Sequence, residues 1–350
     1  MLKRLVSFHA WLLLAASAGF PVAAQQFSQD HLRCMNEGNA LSPDVQIGGC
    51  TAVLQSGRET PAGRATAYNN RGFAYATKKD YARAIADYIF AIALNPRDAR
   101  TYVNRGVAYA EMRDYDRAIA DFTEAIRLYP SHANAYYNRG AAHRIKGAFD
   151  RAIADFTEAI RLDPRYANSY YGRGQAYQVK GDHDRAIADF DAAIRFNPGN
   201  APAYTNRGLA YRYKGETDRA IADYNEAIRL KPNDAIAYYN RGLAYASKKD
   251  YDRAFADYNE ALRLNPSFGG AYANRARAYV STGKGLQGLP DAERALELHP
   301  NDAFAFETRG QVLEAIGRRE EAIADFRKAL SIDANRQSSR EALKRLGAGP

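Results

Sequence analysis

Apolar residues recur along most of this chain at a spacing of three or four, and the whole set repeats after 34 positions. The tripeptide Asn-Arg-Gly or a close variant begins at Asn70, Asn104, Asn138, Gly172, Asn206, Asn240, Asn274 and Thr308, with no insertion or deletion between them. Taking Ala65 as position 1 gives eight repeats over 65–336. A strict internal period of this length implies a stack of small units, none of which buries its apolar face alone.

Each repeat reads as two helices. Position 4 is Tyr in seven repeats and Phe306 in the eighth; position 8 is Gly except at Ala276; position 11 is mostly Tyr, as in Tyr75, Tyr109 and Tyr177. At ~100° per residue, positions 4, 7, 8 and 11 share a stripe about 100° wide. The second helix carries small residues at positions 20 and 27, such as Ala84 and Ala91, and a ring at 24, such as Tyr88, Phe122 or Phe156. Small residues at 8, 20 and 27 let two backbones approach, and the rings fill the remaining space. Lys-Gly-Asp, Lys-Lys-Asp or a variant of them separates the helices, and Pro at position 32, from Pro96 to Pro300, stops the second.

These residues resemble the tetratricopeptide repeat. The second repeat shows the whole set: Tyr102, Gly106, Tyr109, Ala118, Phe122, Ala125 and Pro130. The resemblance implies an all-α, right-handed superhelical solenoid of helix-turn-helix repeats whose first helices line a groove. The seventh repeat departs from the pattern, with Gly288 and Ala292 at positions 20 and 24 and Pro290 between them, so its second helix is expected to be short or distorted. Residues 337–350 predict a terminal capping helix and tail, with Ala342, Leu343 and Leu346 on one face.

The start of the chain adds two expectations. Lys3 and Arg4, the mostly apolar Leu5–Ala18, Pro21 and the small residues Val22-Ala23-Ala24 make 1–24 a secretory leader cut after Ala24, with a rival cut after Ala18. Its apolar core is shorter than the roughly 20 residues needed to span a bilayer, so the mature protein is expected to be periplasmic or secreted, without a membrane span. Ile47–Leu54 aligns with Ile119–Ile126, placing Cys50 at position 24 of a degenerate unit and Cys34 at its position 8. In a repeat of this kind those positions face each other, which predicts a Cys34–Cys50 disulfide in a capping hairpin over 25–64, with Ser42-Pro43-Asp44 opening its second helix. A metal-binding or reactive thiol pair is the alternative, but there is no C-x-x-C spacing and only His31 lies nearby.

On the first helix, positions 5, 6, 9, 12 and 13 lie away from the buried stripe. They hold Tyr137, Tyr171, Tyr239, Val103, Phe73, Leu209, Leu243 and Tyr213, with Arg144, Arg212, Gln175, Gln178 and Arg277 among them. Rings and aliphatic side chains rimmed by Arg and Gln suit a protein-binding surface, although rings there can also pack between repeats. Position 6 is Asn70, Asn104, Asn138, Asn206, Asn240 and Asn274 in six repeats, interrupted by Gly172 and Thr308. An amide row of this kind can pair with the backbone of an extended peptide, as in the similar asparagine ladder of the O-linked N-acetylglucosamine transferase family, or it can bond neighbouring repeats. Position 7 is Arg and position 23 Asp in all eight repeats, beginning with Arg71, Arg105 and Arg139 and with Asp87, Asp121 and Asp155. Structural ion pairs are the simplest account; whether they lie within a hairpin or across a junction is left open by the sequence. The carboxylate-clamp variety of the family needs Lys at position 5, which no repeat has.

Composition narrows the function. The 350 residues carry 49 basic and 40 acidic side chains, net +9, without a polybasic arm, so charge does not point to nucleic acid. The six His are scattered without metal-ligand spacing, His143 standing in for the position-11 Tyr, and Gly283-Lys284-Gly285 follows no strand. No cofactor, metal or catalytic residue is expected. The expected function is a non-catalytic scaffold, outside the cytoplasm, that docks a peptide segment or helix of a partner protein. The alternatives are a fixed subunit of an envelope or secretion assembly, held by its convex face or ends, and a cell-wall glycan binder. Partner, pathway and oligomeric state are not specified. The 25 Tyr against 15 Phe indicate a fold that repeatedly needs a ring with a polar tip.

Overall fold

A computed structural model of the protein describes residues 22–349; the expected leader lies outside them except for Val22–Ala24, which open the first helix. Among the described residues every regular element is helical. They fall into two compact bodies, divided between Pro164 and Arg165. The N-terminal body contains α1 (Val22–Met35), α2 (Pro43–Gln55), α3 (Pro61–Thr77), α4 (Tyr81–Leu94), α5 (Ala99–Glu111), α6 (Tyr115–Leu128), α7 (Ala133–Ile145) and α8 (Phe149–Leu162). The C-terminal body contains α9 (Ala167–Val179), α10 (His183–Phe196), α11 (Ala201–Tyr213), α12 (Thr217–Leu230), α13 (Ala235–Ser247) and α14 (Tyr251–Leu264). It continues with α15 (Gly269–Ser281), α16 (Gly285–Leu298), α17 (Ala303–Ala315), α18 (Arg319–Ile332) and α19 (Gln337–Arg345). In each body consecutive helices pair as antiparallel hairpins, and the hairpins stack in a solenoid.

The turn inside each hairpin follows from its sequence. The residue at position 15 takes positive φ: Gly in five repeats, and Lys79, Arg113 and Lys249 at φ 61–62° in the others. The next N–H then reaches back to the position-11 carbonyl, as from Asp80 to Tyr75 at 2.9 Å. The Asp80, Asp114 and Asp182 carboxylates each accept the N–H three residues on and so cap α4, α6 and α10. Where the helices cross, contact is close: a Cβ added to Gly106 would sit 2.7 Å from Phe122 Cε1. The Ala at position 20 and the ring at 24 are both fully buried, as at Ala118 and Phe122, each 0% exposed.

The seventh repeat corrects the expectation drawn for it. Its second helix, α16, is 14 residues long like its counterparts and contains Pro290. The small residues have changed places: Ala276 stands where other repeats have Gly, and Gly288 where they have Ala. A Cβ on Gly288 would come within 2.9 Å of the Ala276 carbonyl, so the close approach survives with the glycine on the other helix.

Both ends are closed. A disulfide joins Cys34 on α1 to Cys50 on α2, both buried, and Ser42 Oγ accepts the Val45 N–H at the start of α2. At the other end α19 buries Ala342 and Leu343 against α17 and α18. Glu307, 4% exposed, accepts hydrogen bonds from Ser338 and Ser339, and Arg336 Nη1 lies 3.1 Å from it. No described helix is long and apolar enough to cross a membrane.

Candidate functional site

The first helices of successive repeats stand side by side in each body, and the position-7 arginines fix how they are presented. Arg71 Nε and Nη2 each donate to Asp87 at 2.8 Å; Arg105 pairs likewise with Asp121 and Arg139 with Asp155, at 2.7–3.0 Å. Every repeat of the C-terminal body has the same fork, from Arg173–Asp189 to Arg309–Asp325. The pair therefore lies within one hairpin. The remaining guanidinium nitrogen reaches the preceding hairpin at position 25: Arg71 and Arg139 Nη1 donate to Thr51 and Thr123 at 3.1 Å, and Arg241 Nη1 to Asn225 at 2.7 Å. One arginine thus closes its own hairpin and joins it to the one before. Its hydrogen bond to Asp121 raises the pKa of Arg105, so the guanidinium stays charged.

The tyrosine excess has its cause in the same frame. Position-4 rings lie under the position-7 guanidinium, as Tyr102 under Arg105 at 5.7 Å. Position-11 rings lie under the position-19 arginine, as Tyr75 under Arg83 and Tyr109 under Arg117, both at 4.5 Å. His143, 8% exposed, fills position 11 of the third repeat as a core side chain whose pKa burial lowers.

The six position-6 asparagines divide into two kinds. Asn104 Nδ2 donates to Asn69 Oδ1 at 3.0 Å, Asn206 to Tyr171 Oη at 2.9 Å, and Asn274 to Tyr239 Oη at 3.0 Å. Each partner is the position-5 side chain of the preceding repeat, 35 residues earlier. Asn70 donates to the Cys34 carbonyl of the cap at 3.3 Å. Asn138 and Asn240 make no side-chain hydrogen bond among the described residues. The reason is the residue 35 positions before them: Val103 has no acceptor, and Thr205 turns its hydroxyl to the Ala201 carbonyl at 3.3 Å. Val103 itself, expected in the groove, is 9% exposed and packs in the core with Tyr109 and Phe122.

Other predicted groove residues are partly packed. Tyr137, Tyr171 and Tyr239 are half-buried, with ring centroids 5.9, 6.0 and 6.3 Å from the position-24 rings of their own repeats. Arg144 and Arg212 are half-buried, each with its Nε buried and unbonded, and Gln178 is half-buried. In the N-terminal body two cavities of about 440 and 530 Å³ lie along α3, α5 and α7 and share Val107 and Glu111. Asn138 and Tyr137 line the first, Phe73 and Asn104 the second. In the C-terminal body a cavity of about 430 Å³ is lined by Arg277, Ser281, Gln311, Glu314 and Arg345. Tyr88 is named above only as a core ring, and the phenols of Tyr224 and Tyr258 at the same position were not singled out from sequence, although Tyr in place of Phe at a core position was the available signal. Among the described residues no cluster of His, Cys, Asp and Glu is arranged to hold a metal.

Models of the tetratricopeptide repeat match residues 63–131, 103–167, 146–201, 190–222, 208–249, 235–268 and 274–339. A tetratricopeptide repeat protein of known structure from Parabacteroides merdae is 21% identical, with a TM-score of 0.58 over 71% of this chain and 98% of that one. A chain of the APC/C hetero-tetramer Cut9–Hcn1 is 16% identical, with a TM-score of 0.61 over 93% of this chain and 63% of that one. MamA is 31% identical over 46% of this chain and 94% of its own, with a TM-score of 0.44. No curated protein matches the chain significantly.

Proposed function

The chain belongs to the tetratricopeptide repeat family, whose members generally bind other proteins, and from that premise we propose that it is a non-catalytic scaffold docking an extended segment of a partner along its first helices. The observation that carries this reading is Asn138, whose amide has no hydrogen bond among the described residues and lines a cavity of about 440 Å³ beside Val107, Ala141 and Ile145. An amide donor and acceptor among apolar side chains suits a peptide bond flanked by apolar residues. Work outside the cytoplasm is supported by the Cys34–Cys50 disulfide, which persists in oxidising compartments, and by the leader pattern at 1–24.

The test selects binders from a displayed library of linear peptides on residues 25–350 and titrates them against Asn138→Ala/Asn240→Ala, with circular dichroism confirming the fold. Peptides that bind the parent and lose about fivefold or more in the variant support the reading, one lost hydrogen bond being worth about 1 kcal/mol. Failure to select any peptide overturns it.

A fixed subunit held through its outer surface is the second reading, and one observation favours it. Ile89 and Phe90 on α4 are 48% and 55% exposed, where the equivalent surface of α6 carries Thr123 and the Glu124–Arg127 ion pair. Loss of a stable complex on Phe90→Glu, with peptide binding unchanged, would select that reading.

A further inference from the structure

Most arginines along the hairpins have a carboxylate; Arg212 and Arg277 do not. The arginines at position 7 pair with position 23, and those at positions 19 and 29 commonly pair with an acid three residues earlier, as Arg253 does with Asp250 and Arg229 with Glu226. Arg212 on α11 and Arg277 on α15 form no ion pair among the described residues, and both stand on first helices of the C-terminal body. The two acids on that row of helices are already neutralised, Glu314 by a two-bond fork to Arg345 and Glu307 by Arg336 and two serines. The row is therefore left positive.

Arg212 lies 5.3 Å from the Tyr213 ring centroid and Arg277 5.5 Å from that of Phe304, contacts that hold the guanidinium groups without neutralising them. Tyr224 is 0% exposed and its phenol lies against the Arg212 guanidinium, close enough for a hydrogen bond, while the Arg212 Nε is buried and unbonded. Asn240 is 7% exposed with no side-chain hydrogen bond among the described residues. The Asn240 amide is not among the polar atoms sealed from solvent and stays open to water or a ligand. Arg277 opens into the cavity of about 430 Å³ alongside Ser281 and Gln311, both hydrogen-bonding side chains. Arg212 and Arg277 stand on α11 and α15, first helices of the same body, and so belong to one row.

We propose that this row reads acidic side chains of an extended peptide, with one carboxylate taken by Arg212 above Tyr224 and a second by Arg277 in its cavity. This rests on the groove reading above and adds the chemistry of the partner. The two arginines stand on helices two repeats apart. With first helices about 9 Å apart, the carboxylates fall roughly 18 Å from each other, about five or six residues of extended chain. The segment recognised is thus acid, a spacer of about four or five residues, acid.

The experiment measures fluorescence anisotropy of a labelled 12-residue Ala/Ser/Thr peptide carrying two Glu five residues apart, titrated with residues 25–350. Comparators are the same peptide with Gln at both places and sodium polyphosphate as competitor. The expected result is a Kd about tenfold or more lower for the Glu peptide, a preference abolished by Arg212→Gln/Arg277→Gln and untouched by Arg195→Gln on the exposed side of α10. Equal binding of the Glu and Gln peptides overturns the acidic reading and leaves backbone docking standing. Equal weakening by Arg195→Gln reduces the effect to net charge and overturns it. Displacement by polyphosphate as tight as the peptide overturns the peptide assignment in favour of a polyanion. If neither peptide binds while displayed peptides do, this row is not the site.

Discussion

Removing Arg105 alone should damage the second repeat more than removing Arg105 and Asp121 together. Asp121 is 8% exposed at its side chain and Arg105 18%, with two parallel hydrogen bonds at 2.7 and 2.8 Å. Arg105→Met leaves a buried carboxylate without its counterion, which costs about 3–5 kcal/mol, whereas Arg105→Met/Asp121→Leu removes both charges from an apolar surround and should cost within about 2 kcal/mol. Asp121→Leu, which leaves Arg105 unpaired, completes the double-mutant cycle, and the coupling, the two single costs together less that of the double, is expected to be at least about 3 kcal/mol. Arg105 suits the cycle because position 25 of the preceding repeat is Ile89, so its third nitrogen has no bond there to lose. Repeat arrays lose structure locally, so hydrogen exchange of α5 and α6 should carry the effect ahead of the global urea transition. Single substitutions costing under about 1 kcal/mol, or a double that costs the sum of its parts, would refute the reasoning and reduce the pair to a surface contact.

Other outcomes follow from the same contacts. Ile89→Thr supplies the missing acceptor for Arg105 Nη1, as Thr51 and Thr123 do for Arg71 and Arg139, and should raise the unfolding free energy from urea titration by about 0.5–1.5 kcal/mol; an unchanged midpoint would show that junction bond to be worthless. Reduction of Cys34–Cys50 opens a loop of 16-residue separation and should cost the α1–α2 hairpin about 3 kcal/mol, seen as lost exchange protection there with α5 to α8 unaffected. Acid should release α19. Burial pushes the Glu307 carboxyl up, but hydrogen bonds from Ser338, Ser339 and Arg336 outweigh it and leave the pKa below the usual Glu value. The stabilisation is present above about pH 4.5 and fades as pH falls through the lowered pKa, so α19 should lose protection below about pH 4. Glu307→Gln should remove that pH dependence.

The frame was legible because every repeat states it again. A period of 34 without slippage repeats the close glycine, as Gly106 against Phe122, in seven repeats and the Pro stop in seven, and chance agreement at each is negligible. The cysteines were readable for the same reason, since aligning them to positions 8 and 24 placed them in contact. Compensating change was less legible. Gly288 and Pro290 looked damaging one residue at a time, and only the pair Ala276 with Gly288 shows that the close contact is kept with its partners exchanged.

The position-6 row shows why the binding face is harder to read than the frame. One-repeat periodicity says where Asn138 stands but not what it touches, because its nearest potential partner belongs to the preceding repeat at a different position. Once that offset of 35 is known, the row explains itself: Asn69, Tyr171 and Tyr239 offer acceptors and engage the next asparagine, while Val103 and Thr205 do not. The same logic separates structural from available groups at position 12, where Ala76 and Ala110 give way to Arg144 and Arg212. Recognition in a repeat protein is therefore to be sought where one repeat departs from its neighbours without a compensating partner. By that criterion Asn138, Asn240 and Arg212 stand apart, each carrying a polar group to which the described residues offer no hydrogen bond.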